Sequence, residues 1–195
     1  MLSLLKKRRS IRTFQDKKVE REKINKIIQV ALLSPSSKNS NPWKFIMVED
    51  ETLLEELSTA KMSGSQFLAK APLAIVVLAD PRQSDVWIED ASIVTTMILL
   101  AAQNLGLGSC WIQLRERKHS SEKDSEEFVK DLLGIPGNLR VLCMVAIGYP
   151  DEVKPEKRIE ERKLEDVYLD RFDNKMIINK KQEKVKSWKK NSALF

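Results

Sequence analysis

Near one end of the chain, "KKRRSIRTF" (6–14) gathers Lys6, Lys7, Arg8, Arg9 and Arg12 around a single hydroxyl, Ser10. Guanidinium groups bind phosphate oxygens in pairs, and a serine hydroxyl adds a neutral donor, so this set suits a phosphate monoester. The same composition describes a solvated basic face at a helix end, and the segment taken alone favours that simpler reading. A second segment, "SPSSKNSNPW" (34–43), places small hydroxyl and amide residues between two prolines and closes on Trp43. It offers many hydrogen-bonding groups with little conformational freedom left to lose on binding. A plain structured turn explains it nearly as well, and Trp43 reads as core. The charges of "VEREK" and "SEKDSEE" read as solvated helix faces. Those of "DVWIED" (85–90) suit a helix N-terminus, where carboxylates are electrostatically favoured, and no catalytic role is read for them.

Other chemistries lack their residues. Two cysteines, Cys110 and Cys143, and one histidine, His119, are too few for a four-coordinate zinc site. Both cysteines have apolar neighbours, as buried free thiols of a reducing compartment do. His119 lies in "RERKHSSEK", a charged loop, which argues against Ser-His-Asp or Cys-His catalysis. "GLGSCW" follows a helix and enters a strand, the reverse of a dinucleotide-binding glycine loop, and no P-loop motif is present. No apolar run reaches the length of a membrane span, and "MLSLLKKRRSIRTF" orders apolar before basic residues, unlike a signal peptide. The expectation is a cytoplasmic protein without membrane contact.

Elements to position these segments are legible. "VEREKINKIIQVALL" (19–33) repeats Ile24, Ile27, Ile28 and Ala31 on one helical face and stops before Pro35. Residues 43–50 read as a strand, and 51–60 as a short helix with Asp50 as its N-cap. The apolar run 71–80 reads as a strand covered on both faces. Residues 84–105 form the longest helix, so apolar after Asp90 that it must be buried nearly all round, within the domain or against a second subunit. Gly106 can supply its left-handed cap. Strands over 107–114 and 139–150 and a helix over 121–134 complete a mixed α and β chain. An extended arm follows from Asp151.

"RRSIRTF", "SPSSKNSNPWKF", the long apolar helix ending in "GLGSCWIQ", and "AIGYP" come in one order from Arg8 to Pro150. Together they resemble the flavin-dependent nitroreductase family. The resemblance implies an α+β fold with a central, mostly antiparallel sheet flanked by helices. It also implies a long buried central helix and a C-terminal arm reaching the partner subunit. It implies a homodimer with two FMN sites at the subunit interface. NADH or NADPH would be co-substrate, and nitroaromatics, quinones or similar flat acceptors would be reduced by a ping-pong route. On this resemblance Arg8, Arg9, Ser10 and Arg12 bind the FMN phosphate, ribityl chain and pyrimidine edge. Pro35, Ser36, Ser37 and Asn39 are laid against the same flavin by the partner. Gln113 and Leu114 present backbone near the ring's N5 and O4; many members have Glu at position 113, which a backbone role tolerates. Arg158, or Lys157, resembles a late basic residue returning to the phosphate. The ring carries the redox chemistry, so no catalytic side chain is required.

The 195 residues, 22.4 kDa, suit one domain, expected over 1–173. Residues 174–195 hold seven lysines against Glu183, so this tail carries the entire formal charge of +6. The body is neutral and is not read as a nucleic-acid surface. Val185 and Trp188 share a helical face, so the tail is expected to be a helix docked on the dimer. Alternatives remain: dehalogenation, azoline oxidation or flavin destruction on the same fold, a flavin-binding protein without turnover, or a nucleic-acid or acidic-partner binder acting through the tail.

Overall fold

The structure is a computed structural model and describes residues 1–176. Its chain divides into two units, 1–156 and 157–195. The expected boundary at 173/174 falls inside the second unit, where an isolated bridge joins Tyr168 to Lys175. The docked basic helix expected over 174–195 lies almost wholly outside the described residues.

The first unit is built on a four-stranded sheet of order β1-β2-β4-β3, every pair antiparallel, with strands β1 (Trp43–Val48), β2 (Leu73–Ala79), β3 (Gly108–Gln113) and β4 (Arg140–Gly148). The apolar run of β2 buries every residue, because strand alternation sends Leu73, Ile75 and Val77 to one face and Ala74, Val76 and Leu78 to the other. Helices α2 (Arg21–Leu32) and α4 (Trp87–Asn104) cover the first face; α3 (Glu51–Ser58) and α5 (Ser125–Leu133) cover the second. A short helix the sequence reading lacks, α1 (Leu2–Lys7), precedes the arginine segment.

Local signals act as expected at several ends. The Asp50 carboxylate accepts the Leu53 N–H at 2.9 Å and starts α3. Gly106, at φ +75°, turns the chain out of α4. One expectation needs correction. The helix expected from 121 starts at Ser125, because the N–H groups of His119 and Ser120 both donate to the Lys123 carbonyl in a tight turn (3.0 and 3.2 Å). Within one chain α4 is covered on all but one side: Ile93 is 41% exposed, Thr96 is exposed, and Met97 and Leu100 are half-buried. These residues recur at helical spacing and form an uncovered, largely apolar stripe.

β4 carries one extra residue. Val77 faces Cys143 and Leu78 faces Val141, so Leu142 is a β-bulge, and its carbonyl accepts the N–H groups of both Leu114 and Arg115 (3.2 and 3.1 Å). The bulge ends β3 beside Gln113. In the second unit, the expected arm is not simply extended. It forms 3-10 turns at Ile159–Glu161 and Leu164–Asp166 and a small hairpin in which Leu169 N–H donates to the Asn174 carbonyl at 2.8 Å. Asp170, at φ +60°, makes that reversal.

Candidate functional site

The arginine segment leaves α1 extended and lies along the open edge of β3. Ser10 bridges Ser109 in parallel, and Ile11 N–H donates to the Ser109 carbonyl at 3.1 Å. So close an approach requires Gly108, where a Cβ would stand 2.8 Å from Ile11 Cγ2. Side chains of an extended chain alternate, which separates the segment's basic groups. Arg8, Ser10 and Arg12 all act on the Cys110 sulfur: burial pushes its thiol up, against the pull of Arg12, the Ser10 hydroxyl, Lys154 and Arg8. Among the described residues neither Arg8 nor Arg12 has a carboxylate partner for its guanidinium, and Arg12 lies 5.7 Å over the Phe67 ring. Arg9 goes the other way. Its guanidinium donates to the Pro155 carbonyl and helps line a groove of about 200 Å³ with Gln103 and Leu107, at the C-terminal end of α4.

The segment is held from behind by the chain leaving β4. The Glu152 carboxylate accepts the N–H groups of Arg12 (2.5 Å) and Thr13 (3.2 Å) and pairs with Lys154 (3.1 Å). Lys154 in turn donates to the Ser10 carbonyl at 2.6 Å. The Arg12 N–H, with help from Lys154 and the Thr13 N–H, holds the Glu152 carboxyl below its usual range despite partial burial.

The second segment folds into a loop closed on itself. Asn41 N–H donates to Ser36 Oγ at 2.9 Å and Asn41 Nδ2 to the Asn39 carbonyl at 3.1 Å. Lys38, Asn39 and Asn41 all have positive φ (52°, 54° and 46°), an unusual density of left-handed backbone without glycine. Pro35 and Asn39 are exposed and Ser36 and Ser37 half-buried. Ser37 N–H donates to Asp90 Oδ1 at 2.7 Å, at the N-terminal end of α4.

Gln113 and Leu114 end β3. Because Leu114 N–H donates to Leu142, the alternation of an antiparallel pair turns the Gln113 backbone away from β4 to the open edge. The Gln113 side chain accepts from Trp111 Nε1 (2.9 Å) and donates to the Arg115 carbonyl (3.0 Å). Leu114 is fully buried with its N–H already used, so the backbone group expected of this pair is left to Gln113. Arg158 is exposed in the second unit, ahead of the Ile159–Glu161 turn.

The structure therefore groups Arg8, Ser10, Arg12 and the Gln113 edge, and sets the 36–41 loop apart. Asp90 and Gln103 are thirteen residues apart on α4, about 20 Å along its axis. Four residues near the two segments were not anticipated from sequence: Asp90, Glu152, Lys154 and Lys61. Burial, then nearby Arg117, holds the Lys61 amine below its ordinary value, yet "TAKM" looks like surface. Of these only Asp90 carried a signal, as the last carboxylate of α4 before its long apolar stretch.

Comparison with known proteins finds relatives in both sequence and fold. The Nitroreductase family model matches residues 5–66 and 59–149. A provisionally named NADH dehydrogenase/NAD(P)H nitroreductase of Archaeoglobus fulgidus is 40% identical over 165 residues, 83% of this chain and 91% of that relative. The structure of an FMN-dependent nitroreductase from Clostridium difficile R20291 superposes with a TM-score of 0.87 at 44% identity, covering 88% of this chain and 100% of the other. An iodotyrosine deiodinase of Thermotoga neapolitana is 26% identical over 180 residues, 80% of this chain and 91% of that one.

Proposed function

The chain belongs to the nitroreductase family and is an NAD(P)H-dependent flavin oxidoreductase; from this premise we propose that it works as a homodimer with FMN shared between subunits, reducing flat acceptors such as nitroaromatics or quinones. The observation that carries the reading is the separation of the two polar segments to opposite ends of α4. Within one chain the two segments lie at the two ends of this helix, about 20 Å apart along its axis. A two-fold pair packed through the Ile93, Met97 and Leu100 stripe, with the α4 helices antiparallel, sets the loop of one subunit near the arginine segment of the other.

The residues present fit FMN. Arg8, Ser10 and Arg12 offer charged and neutral donors on one side of an extended segment, and among the described residues no carboxylate pairs with either guanidinium. Arg8 and Ser10 bind the phosphate and ribityl chain, and Arg12 meets the pyrimidine edge, where its charge favours the electron-rich flavin. Arg9 braces the segment through Pro155. The Gln113 N–H faces the ring from the open edge of β3, and Pro35, Ser36, Ser37 and Asn39 of the partner's loop close the other side. Arg158 is the late basic residue of this proposal. Once bound, the isoalloxazine ring supplies the redox chemistry, so nicotinamide and acceptor use one exposed face in turn. Among the described residues no helix is long and apolar enough to cross a membrane.

Purified full-length protein should be yellow and release FMN, not FAD, on denaturation. Arg12→Ala should lower FMN retention. A heterodimer of Arg12→Glu and Ser37→Trp subunits collects both defects in one site and none in the other, so it should bind about one FMN, where each mutant homodimer binds poorly. A colourless protein that takes up no added FMN overturns the reading; a heterodimer that binds none overturns the shared site.

A further inference from the structure

Asp90 is 1% exposed, and both its oxygens are used. Oδ1 accepts the Ser37 N–H at 2.7 Å; Oδ2 accepts the hydroxyl of Ser84, itself buried, at 2.6 Å. Among the described residues the Ser37 bond is the one hydrogen bond that leaves the 36–41 loop. The loop has no strand to lie on, and three non-glycine residues hold left-handed backbone. Such a conformation persists where surroundings over-determine it, and here the one hydrogen bond from those surroundings is to this carboxylate. That carboxylate stands one helical turn before Ile93, where the uncovered stripe of α4 begins.

Resting on the shared-site reading above, we propose that Asp90 is a positioning residue for flavin binding. It ties the loop to the helix whose stripe meets the partner, and so sets where the loop stands against the partner's FMN. An asparagine preserves this function, since its oxygen accepts from Ser37 and its amide donates to Ser84 Oγ. An alanine does not. A proline at position 37 deletes the donor while leaving Asp90 in place. Ser37 opens a helical turn behind an extended Ser36 (φ −139°, ψ 161°), where proline is tolerated.

The test uses full-length apoprotein, with FMN affinity read from flavin fluorescence quenching, thermal midpoint without flavin, and oligomeric state by sedimentation. Asp90→Ala and Ser37→Pro each weaken FMN binding by about tenfold or more, as loss of a charge-assisted hydrogen bond does. Asp90→Asn stays within about threefold of wild type, and Ser37→Ala, which removes only the hydroxyl and keeps the N–H, is the reference against which Ser37→Pro is read. A carboxylate that only stabilises the fold would lower the midpoint in Asp90→Ala and leave FMN affinity unchanged, and that result overturns the proposal. So does wild-type affinity in Ser37→Pro, which keeps the question decidable if Asp90→Ala does not fold, and so does an equal loss in Asp90→Asn. Ser37→Trp separates the two levels: if it too binds FMN normally, the loop is not at the flavin and the shared-site reading is what fails.

Discussion

The arginine segment and the 36–41 loop are both short, polar and without regular structure, yet they are held by opposite means. The segment runs along β3, and the Glu152–Lys154 pair that braces it is one-quarter exposed on each side chain. The loop has no ladder and hangs on a buried carboxylate. A brace that water still reaches shares its work with solvent and with neighbouring backbone bonds, so losing it matters less. A buried acceptor is harder to replace, because the Ser84 hydroxyl, itself buried, cannot turn to water. The segment should tolerate change in its brace, and the loop should not.

The largest expected effect is the difference between two truncations. Asp90→Ala, which strands the buried Ser84 hydroxyl and the Ser37 N–H, should lower unfolding free energy by about 2–3 kcal/mol. Glu152→Ala should lower it by about 1 kcal/mol or less. Urea unfolding of the two variants decides, and equal losses would erase the distinction.

A smaller effect should appear with pH. The Glu152 carboxyl is held below its ordinary value of 4.5 in the folded chain. Its contribution is therefore complete above that value and lost as pH falls through the lower folded one. The stability difference between wild type and Glu152→Gln should be flat from pH 7 to about 5 and shrink below about 4.5. A difference that grows on acidification would show that the sign is wrong.

The smallest effect concerns the thiols. Burial pushes Cys143 up to about 12, with Thr95 opposing weakly, whereas Arg12, Ser10, Lys154 and Arg8 offset the rise at Cys110. A thiol reagent should modify Cys110 before Cys143, and added FMN should slow the Cys110 reaction. Cys110→Ser should keep most activity, since neither thiol is given a chemical step; its loss with FMN still bound would contradict that assignment.

The sequence by itself determined a good deal. Apolar runs specified four strands, Asp50 and Gly106 marked helix ends, and two polar segments stood out as candidates for chemistry, because each of these signals acts over a few residues. Tertiary structure alone decided how the segments are used. Ser37 meets Asp90 across 53 residues and Arg12 meets Glu152 across 140, and no local pattern encodes such pairings. The Leu142 bulge leaves Gln113 as the outward backbone group, and strand alternation sends Arg9 away from Arg8 and Arg12, both consequences of register. The α4 pattern demanded cover on all sides, but which stripe stays open for a partner depends on which faces the sheet and α2 have already taken.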